Sequence, residues 1–466
     1  MKSILNRKLA AAAVLLLLCT LAGCLSPELP EETPPADTVS ATLPPTAETT
    51  LPPEPTEETI PPTQPPEPLI KVASATIIST GDLLMHLPVI NSGYQRDGSY
   101  DFHTMFQYVA PLVTGADYGV INLETTLCGT GNGYAYSGYP KFNCPDGIVT
   151  SAGAAGFDML LTANNHCNDT GTTGFDRTLR VIRENGLASL GTKATEEEPD
   201  YRIIQLNGIA LGLICYTYTV PIESGQPNVN GLPLKGNTPN RINLFDYENL
   251  DSFYVRLEKQ LAQMRDDGAE AVILYIHWGE EYKLSPTRWQ KAIAQQLCDL
   301  GVDVIVGNHP HVVQEIELLC ATNDPSRKTV CLYSTGNFVS NQRKGSVSAL
   351  KTAHTEDGVL FSVTFARYSS GAVVLEDVQA IPLWVNRKGS GSSRTYPVLP
   401  LAPETREQWK EAFGLTNTAL AAARDSYDRT MAQLGPGLEE CRQWLAGRFS
   451  RPRVEEAIPK DSKKQE

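Results

Sequence analysis

One pattern constrains this chain more than any other: short apolar runs rich in Val, Ile and Leu, each closed by a polar cluster carrying His or a carboxylate. It occurs at Val304-Ile305-Val306-Gly307-Asn308-His309-Pro310-His311 and at Tyr275-Ile276-His277-Trp278-Gly279-Glu280-Glu281. It recurs at Leu160-Leu161-Thr162-Ala163-Asn164-Asn165-His166, at Ile77-Ile78-Ser79-Thr80-Gly81-Asp82 with His86 beyond, and at Val120-Ile121-Asn122-Leu123-Glu124. Branched apolar runs without polar alternation read as strands covered on both faces. Open α/β sheets present ligands at the carboxyl ends of such strands. Five of the seven histidines lie at these exits. Asp, Glu, Asn and His delivered to one sheet edge make a donor set for divalent cations.

Each cluster has its own local logic. Gly81 permits a sharp exit that releases Asp82. His309 and His311 stand two apart; in an extended segment both face one cavity, with Pro310 fixing the turn. Asn165 offers a neutral oxygen, and His166 a nitrogen able to ligate or move a proton. His86, four residues past Asp82, either turns toward the same site or is turned away by Leu83-Leu84-Met85. His103 and His354 sit in polar stretches without this context and receive no role.

Nine strands are expected: Ala75–Ser79, Tyr118–Leu123, Phe157–Thr162, Ile209–Tyr216, Ala271–Ile276, Val302–Val306, Val330–Ser334, Val359–Ala366 and Val373–Ile381. The last two form a hairpin through Ser369-Ser370-Gly371. Helices are expected over Phe175–Asn185, Tyr247–Asp267 and Pro286–Leu300, the last capped at Ser285-Pro286. The fold class is α/β, or α+β layered, with mixed sheets and helices outside. Beyond Pro403, helical spacing covers Glu404–Phe413, Thr416–Leu434 and Leu438–Phe449, with Gly435-Pro436-Gly437 breaking the last two. The charged tail Pro459–Glu466 reads as disordered.

The chain start reads as an address. Lys2, Arg7 and Lys8 precede an apolar stretch ending Leu21-Ala22-Gly23-Cys24, a lipoprotein signal over 1–24 with lipidation at Cys24. Residues 25–68 hold 14 of the 33 prolines, nine acidic residues and no Lys or Arg, a tether that stays extended. At ~3.1 Å per residue it spans on the order of 100 Å. These features place a domain over 69–400 at the extracellular face of a cell membrane, followed by a helical extension over 401–466. The net charge of −14 falls to −8 once the tether's nine negative and the signal's three positive charges are removed. That acidic balance excludes a basic nucleic-acid-binding surface as the main function. Cys128 with Cys144, and Cys320 with Cys331, either close disulfides or stay separate thiols.

The ordered set Gly81-Asp82, Asn122-Leu123-Glu124, Ala163 to His166, His277 to Glu281, Gly307 to Val312 and Tyr333 to Phe338 resembles the CapA-type poly-γ-glutamate capsule synthesis family. That family is similar in fold to calcineurin-like metallophosphatases, sandwiches of two mixed β-sheets flanked by helices. The resemblance implies that Asp82, Glu124, Asn165, His277, His309 and His311 hold one or two divalent metal ions (Mn, Zn, Fe or Mg). It implies catalytic roles for His166 and Glu281, with Glu281 orienting His277, acting on substrate or standing as an exposed charge. Gly336-Asn337-Phe338 either closes the rim with Asn337 as a donor or makes a plain turn. Metallophosphatases usually carry Asp-x-His on the first strand and Gly-Asp on the second; here Asp82 is followed by His86, and Glu124 stands on the second. The expected function is capsule or envelope polymer biosynthesis with a metal-dependent, phosphoesterase-like hydrolase site. The alternatives are a non-catalytic assembly or export factor for a polymer synthase complex, or an extracellular phosphoesterase unrelated to capsule. The expected substrate is an anionic polymer or a phosphorylated compound.

Overall fold

Side-chain alternation along the strands explains the layering. Along Ala271–His277, Ile273 and Tyr275 enter one core while Val272, Leu274 and Ile276 enter another. Along the first strand, Ala75 and Ile77 face the first of these cores, and Ile78 faces a third. Successive side chains of a strand point to opposite faces, so a run apolar throughout must be covered twice. A computed structural model describes residues 69–222, 225–346 and 348–448, and the backbone of 453–455. The expected signal and tether over residues 1–68, with the expected lipidation site Cys24, and the expected disordered tail Pro459–Glu466 lie outside the described residues.

Two mixed sheets form the centre. The first runs Val398–Pro400, Val373–Val385, Asp357–Tyr368, Leu69–Leu83, Tyr118–Asn122, Met159–Leu161, Ala188–Leu190, with Asn337–Val339 and Arg453–Glu455 also paired to Leu69–Leu83. The second runs Ile316–Cys320, Lys328–Leu332, Val304–Asn308, Ala271–His277, Ile209–Thr219, Tyr201–Leu206, with Leu244–Asp246 beside Ile209–Thr219. The sheets face each other across a shared core that includes Ile77, Val120, Leu161, Leu213, Ile273 and Val306. Ser79 Oγ and the Tyr275 hydroxyl meet across it at 3.0 Å. Leu250–Asp266 and Arg288–Asp299 cover the outer face of the second sheet. Gly147–Ala154, Gly171–Glu184 and shorter helices cover the first. This is the expected layered sandwich, and all nine expected strands lie on observed ones.

Two local expectations change, and one left open is settled. Arg288–Asp299 is capped by Thr287, not Ser285: the Thr287 side chain accepts from the Gln290 amide while Gln290 bonds back, a capping box. Asn417–Gly447 is one continuous helix with Pro436 inside it, rather than two helices broken at Gly435-Pro436-Gly437. Its Leu434, Leu438, Cys441 and Leu445 complete the core between the sheets, and that burial outweighs the lost proline N–H. A Cβ on Gly437 would stand 1.8 Å from the Ile316 carbonyl oxygen, so this glycine serves close helix–strand contact, not a break. The cysteine pairs stay apart. Strand register sets Cys331 opposite Glu317 and Cys320 opposite Lys328, and all eight cysteines among the described residues are free.

Gly81 has a stricter role than a flexible exit. The pairing of Leu69–Leu83 with Tyr118–Asn122 runs in step to Thr80–Ile121, then skips Gly81 so that Asp82 pairs with Asn122. Without this one-residue bulge Asp82 would take the outward parity of Ile78, and a one-residue slip reverses the face. A Cβ on Gly81 would lie 1.9 Å from the Gly336 carbonyl oxygen, the same carbonyl that accepts from the Asp82 amide. Gly81→Ala is therefore expected to cost about 1–3 kcal/mol by overpacking. Gly153→Ala, in a helix with no contact under 3.4 Å, should gain up to about 1 kcal/mol. Denaturant melts of both variants check the contrast; equal effects would refute the close-packing account.

Candidate metal centre

The parity that builds the core also aims the polar residues. Val120 faces the inter-sheet core, so Asn122 and Glu124 come next on that side; Leu161 and Ala163 do the same for Asn165. Ile273 and Tyr275 lead to His277, and Val304 and Val306 lead to Asn308. With Asp82 brought in by the bulge, five strand exits converge where the apolar core ends.

His309 and His311 arrive differently from the expectation. The segment is not extended: His309 has φ 99° and His311 φ 56°, both left-handed. For residues with a Cβ such backbone costs on the order of 1–3 kcal/mol. The turn is held from outside, since Asn337 Nδ2 donates to the His311 carbonyl at 3.2 Å and the Tyr282 amide donates to the Pro310 carbonyl at 2.8 Å. Asn337 is fully buried, so it acts as a donor beneath the site.

The side chains form two adjoining groups. Ligand atoms of Glu124, His277 and His309 lie within 4.8 Å of one another, and so do those of Asp82, Glu124 and His311. Glu124 is common to both. His277 Nε2 is 2.9 Å from Asn165 Oδ1, 3.2 Å from His309 Nδ1 and 3.5 Å from Glu124 Oε1. His311 Nδ1 is 3.0 Å from Asp82 Oδ2. The six expected ligands thus come together, all buried.

Asparagines position Asp82. Asn122 Nδ2 and Asn308 Nδ2 donate to its Oδ1 at 2.8 and 3.1 Å, and Asn164 Nδ2 in turn donates to Asn122 Oδ1 at 3.2 Å. Sequence reasoning assigns none of these three. The signal is present: an Asn stands one or two residues ahead of a ligand on three separate strand exits. Three further residues escape it. The Tyr218 hydroxyl lies 3.4 Å from His309 Nε2, leaving Nδ1 toward His277. Asp169 Oδ2 is 2.7 Å from His166 Nδ1 and accepts from the Phe142 amide at 2.6 Å. Asn230 Nδ2 closes that pair, donating to Asp169 Oδ1 at 3.1 Å.

Glu281 lies apart, exposed on the rim, although its charge reaches Glu124, His311 and Tyr282. His86 is half-buried beside the site and outside the ligand groups, with its ring against Phe142 at 5.4 Å. Burial, then the His311 charge, pulls its pKa down to about 4.

Electrostatics show what the cluster needs. Burial, with the charges of Asp82 and Glu281, pushes the Glu124 carboxyl well above its ordinary range. Burial and the neighbouring imidazoles hold His277 and His309 well below theirs. Burial also works against the His311 cation, but the Asp82 hydrogen bond and charge outweigh it and raise that pKa. Both Glu124 oxygens are buried without a hydrogen-bond donor, and so is His277 Nδ1 without a partner. An unpaired buried carboxylate is costly. With Asp82, the Asn165 amide oxygen and the imidazoles of His277, His309 and His311, Glu124 forms a donor set that fits one or two divalent cations.

Residues 76–342 match the bacterial capsule synthesis protein family PGA_cap. The chain is 28% identical over 292 residues to "Capsule biosynthesis protein CapA" of Bacillus anthracis, covering 60% of this chain and 64% of that one. It is 28% identical over 280 residues to "PGA biosynthesis protein CapA" of Bacillus subtilis (strain 168), covering 59% and 66%. The chain therefore spans just under two thirds of the length of these relatives. Among solved structures, Haemophilus influenzae NAD nucleotidase aligns with a TM-score of 0.39 at 11% identity, over 80% of this chain and 67% of that one, too loosely to bear on the site. The family match takes in more than half of the sequence, and with it every residue of the metal centre: the chain belongs to the bacterial capsule synthesis family PGA_cap.

Proposed function

We propose that this chain is a lipid-anchored protein of the extracellular membrane face whose metal centre hydrolyses a bond in an anionic envelope polymer or its phosphorylated precursor. The observation that carries this reading is Glu124, a buried carboxylate common to both ligand groups and lacking any hydrogen-bond donor. The names of its relatives, which refer to capsule, PGA and polyglutamine synthesis, supply the polymer class. The lipobox-like Leu21-Ala22-Gly23-Cys24 supplies the anchor.

The chain's own groups divide the work. A divalent cation bound by Glu124 and its neighbours supplies Lewis-acid polarisation and neutralises charge on a reacting oxygen. Asp82 and His311 hold one side of the centre, and Asn165, His277 and His309 the other, with Glu124 between. His166 keeps Nδ1 against Asp169, which fixes the ring and leaves Nε2 to hold or donate a proton to a leaving group. The buried surroundings limit water and strengthen each of these interactions.

Three outcomes are expected. First, elemental analysis of the metal-loaded protein should give about two ions if both groups fill. Glu124→Gln should lose nearly all metal, whereas His311→Ala should lose about half. Metal-free Glu124→Gln should gain stability over metal-free wild type as pH rises, because only the wild type must then hold a proton against the solution or bury its charge. Equal metal content in all three proteins would refute the shared carboxylate.

Second, metal affinity should rise with pH, with net proton release on binding. The sign comes from the shifts. A raised Glu124 pKa leaves a proton on the metal-free carboxyl, a contribution to stability lost as pH rises through the folded value. The lowered His277 and His309 values contribute stability present above about pH 6.5 and lost as pH falls through the folded values. Calorimetric titrations with Mn²⁺ in buffers of different ionisation enthalpy measure the release. Zero protons released would contradict the buried carboxyl.

Third, loaded protein should turn over a generic aryl phosphodiester, with Asp82→Ala and His309→Ala inactive. His166→Ala should lower kcat by about 10²–10⁴ without changing metal content. Bound metal with no turnover of that ester or of a polymer would overturn hydrolysis in favour of a non-catalytic assembly role.

A further inference from the structure

Two loops near the metal centre carry a charge opposite to that of the chain. Residues 341–354 hold Arg343, Lys344 and Lys351, residues 386–397 hold Arg387, Lys388 and Arg394, and neither stretch has an acidic residue. They meet around Asn341. Its Oδ1 accepts from the Tyr396 hydroxyl at 2.7 Å and from Arg387 Nη1 at 3.4 Å. The charges of Arg394, Arg387 and Arg343 all act on Tyr396. Three guanidiniums therefore stand around Tyr396, and of these Arg387 bonds the neutral Asn341 oxygen.

The donors outnumber the acceptors. Arg343 is 7% exposed, and its Nη2 is held by the Val385 carbonyl at 2.9 Å. Its Nη1 is buried with no hydrogen-bond partner, standing 3.4 Å from Glu356 Oε2 as an ion pair without bonding geometry. Arg394 Nε is likewise buried and unpartnered. Buried donors normally find an acceptor, and guanidinium groups match carboxylate and phosphate oxygens. Arg387 is exposed and Asn341 and Arg394 are half-buried, so the cluster opens to solvent. The same segment adjoins the metal centre. The Asn341 amide points at His86 Nδ1 at 3.4 Å, Gln342 Nε2 donates to the Tyr282 hydroxyl at 3.0 Å, and Asn337 holds the His311 turn.

We infer that Arg343, Arg387 and Arg394 form an anion subsite beside the metal centre that seats a carboxylate of an anionic polymer. The inference rests on the polymer reading above and adds where the chain is gripped: a pendant carboxylate enters among the arginines while the backbone crosses the metal centre. The net charge of −8 outside the tether and signal opposes such a polymer on average, so a local cluster of arginines is what can hold it. Two charge-assisted contacts at an exposed site loosen on the order of tenfold in affinity when both are lost.

The test uses the full chain, metal-loaded, with a defined γ-glutamyl oligomer as probe and its uncharged α-carboxamide (γ-linked isoglutaminyl) counterpart as control. Fluorescence anisotropy should show binding to the first alone, weakening with salt. The exposed-side variant Arg387→Gln/Arg394→Gln should bind about tenfold more weakly with unchanged metal content and melting temperature. Arg387→Lys/Arg394→Lys should recover part of the loss. Unchanged affinity in the Gln variant, or equal binding of both oligomers, would overturn the subsite. Inorganic phosphate bound in an arginine-dependent way without any oligomer binding would overturn the carboxylate assignment. Metal content measured on the same samples separates the two ideas: metal without oligomer binding sinks only this subsite, while absent metal sinks the hydrolase reading.

Discussion

A carboxylate buried at the meeting point of two sheets, with no hydrogen bond to either oxygen, is the interaction on which the rest of this structure turns. Glu124 stands next to Asp82, and like charges so close in a medium of low polarity oppose each other strongly. Neither a salt bridge from Lys or Arg nor a backbone amide relieves it among the described residues. Beside it stand the imidazoles of His277 and His309, which burial keeps from carrying a compensating positive charge. Without a cation, this arrangement subtracts from stability; with one, the same atoms become a source of it. The apolar core between the sheets offsets that loss, since it continues unbroken from Ile77, Val120 and Ile273 to the edge of the site.

The backbone carries strain as well. Two non-glycine residues in left-handed conformations, one on each side of Pro310, bring His309 and His311 into facing positions. An extended segment would have put their rings side by side on one face, with the spacing of a strand. The turn sets one ring against His277 and the other against Asp82, one for each ligand group. Such conformations persist where the surroundings over-determine them. Here Asn337, Tyr282 and the Gly81–Gly336 contact do so.

Sequence reasoning reaches the strands and the ligands because both obey short-range rules: parity within a strand, and polar residues at its end. For that reason it points to the six buried side chains that the structure brings together. It does not reach features decided by distant contacts. The cap at Thr287 rather than Ser285 depends on which residue the fold turns toward Gln290. The helix through Pro436 persists because Leu434 and Leu438 are buried against strands remote in sequence, a long-range gain that local propensity does not contain. The short strands Ala188–Leu190, Leu244–Asp246 and Asn337–Val339 are too brief for periodicity, and exist only because a longer neighbour offers them an edge. Asp169 is hidden for a related reason: its partner, His166, lies three residues back in an irregular turn where no period operates.

The family match ends at residue 342, yet the metal centre leans on the chain beyond that point. The carbonyl of Thr355 accepts from the same Asn337 amide that holds the His311 turn. Two residues on, the Asp357 carboxylate is gripped by Ser426 and by two nitrogens of Arg429, from the Asn417–Gly447 helix. Strand pairing carries the connection back, since Gly336 bridges Gly358 and the Val359 amide donates to the Thr335 carbonyl. A rigid path therefore runs from the long helix, through Asp357 and Asn337, to the left-handed histidine. The converging side chains are fixed by the shared core of the fold, but the contacts that hold the strained turn in place come in part from a helix outside the matched region.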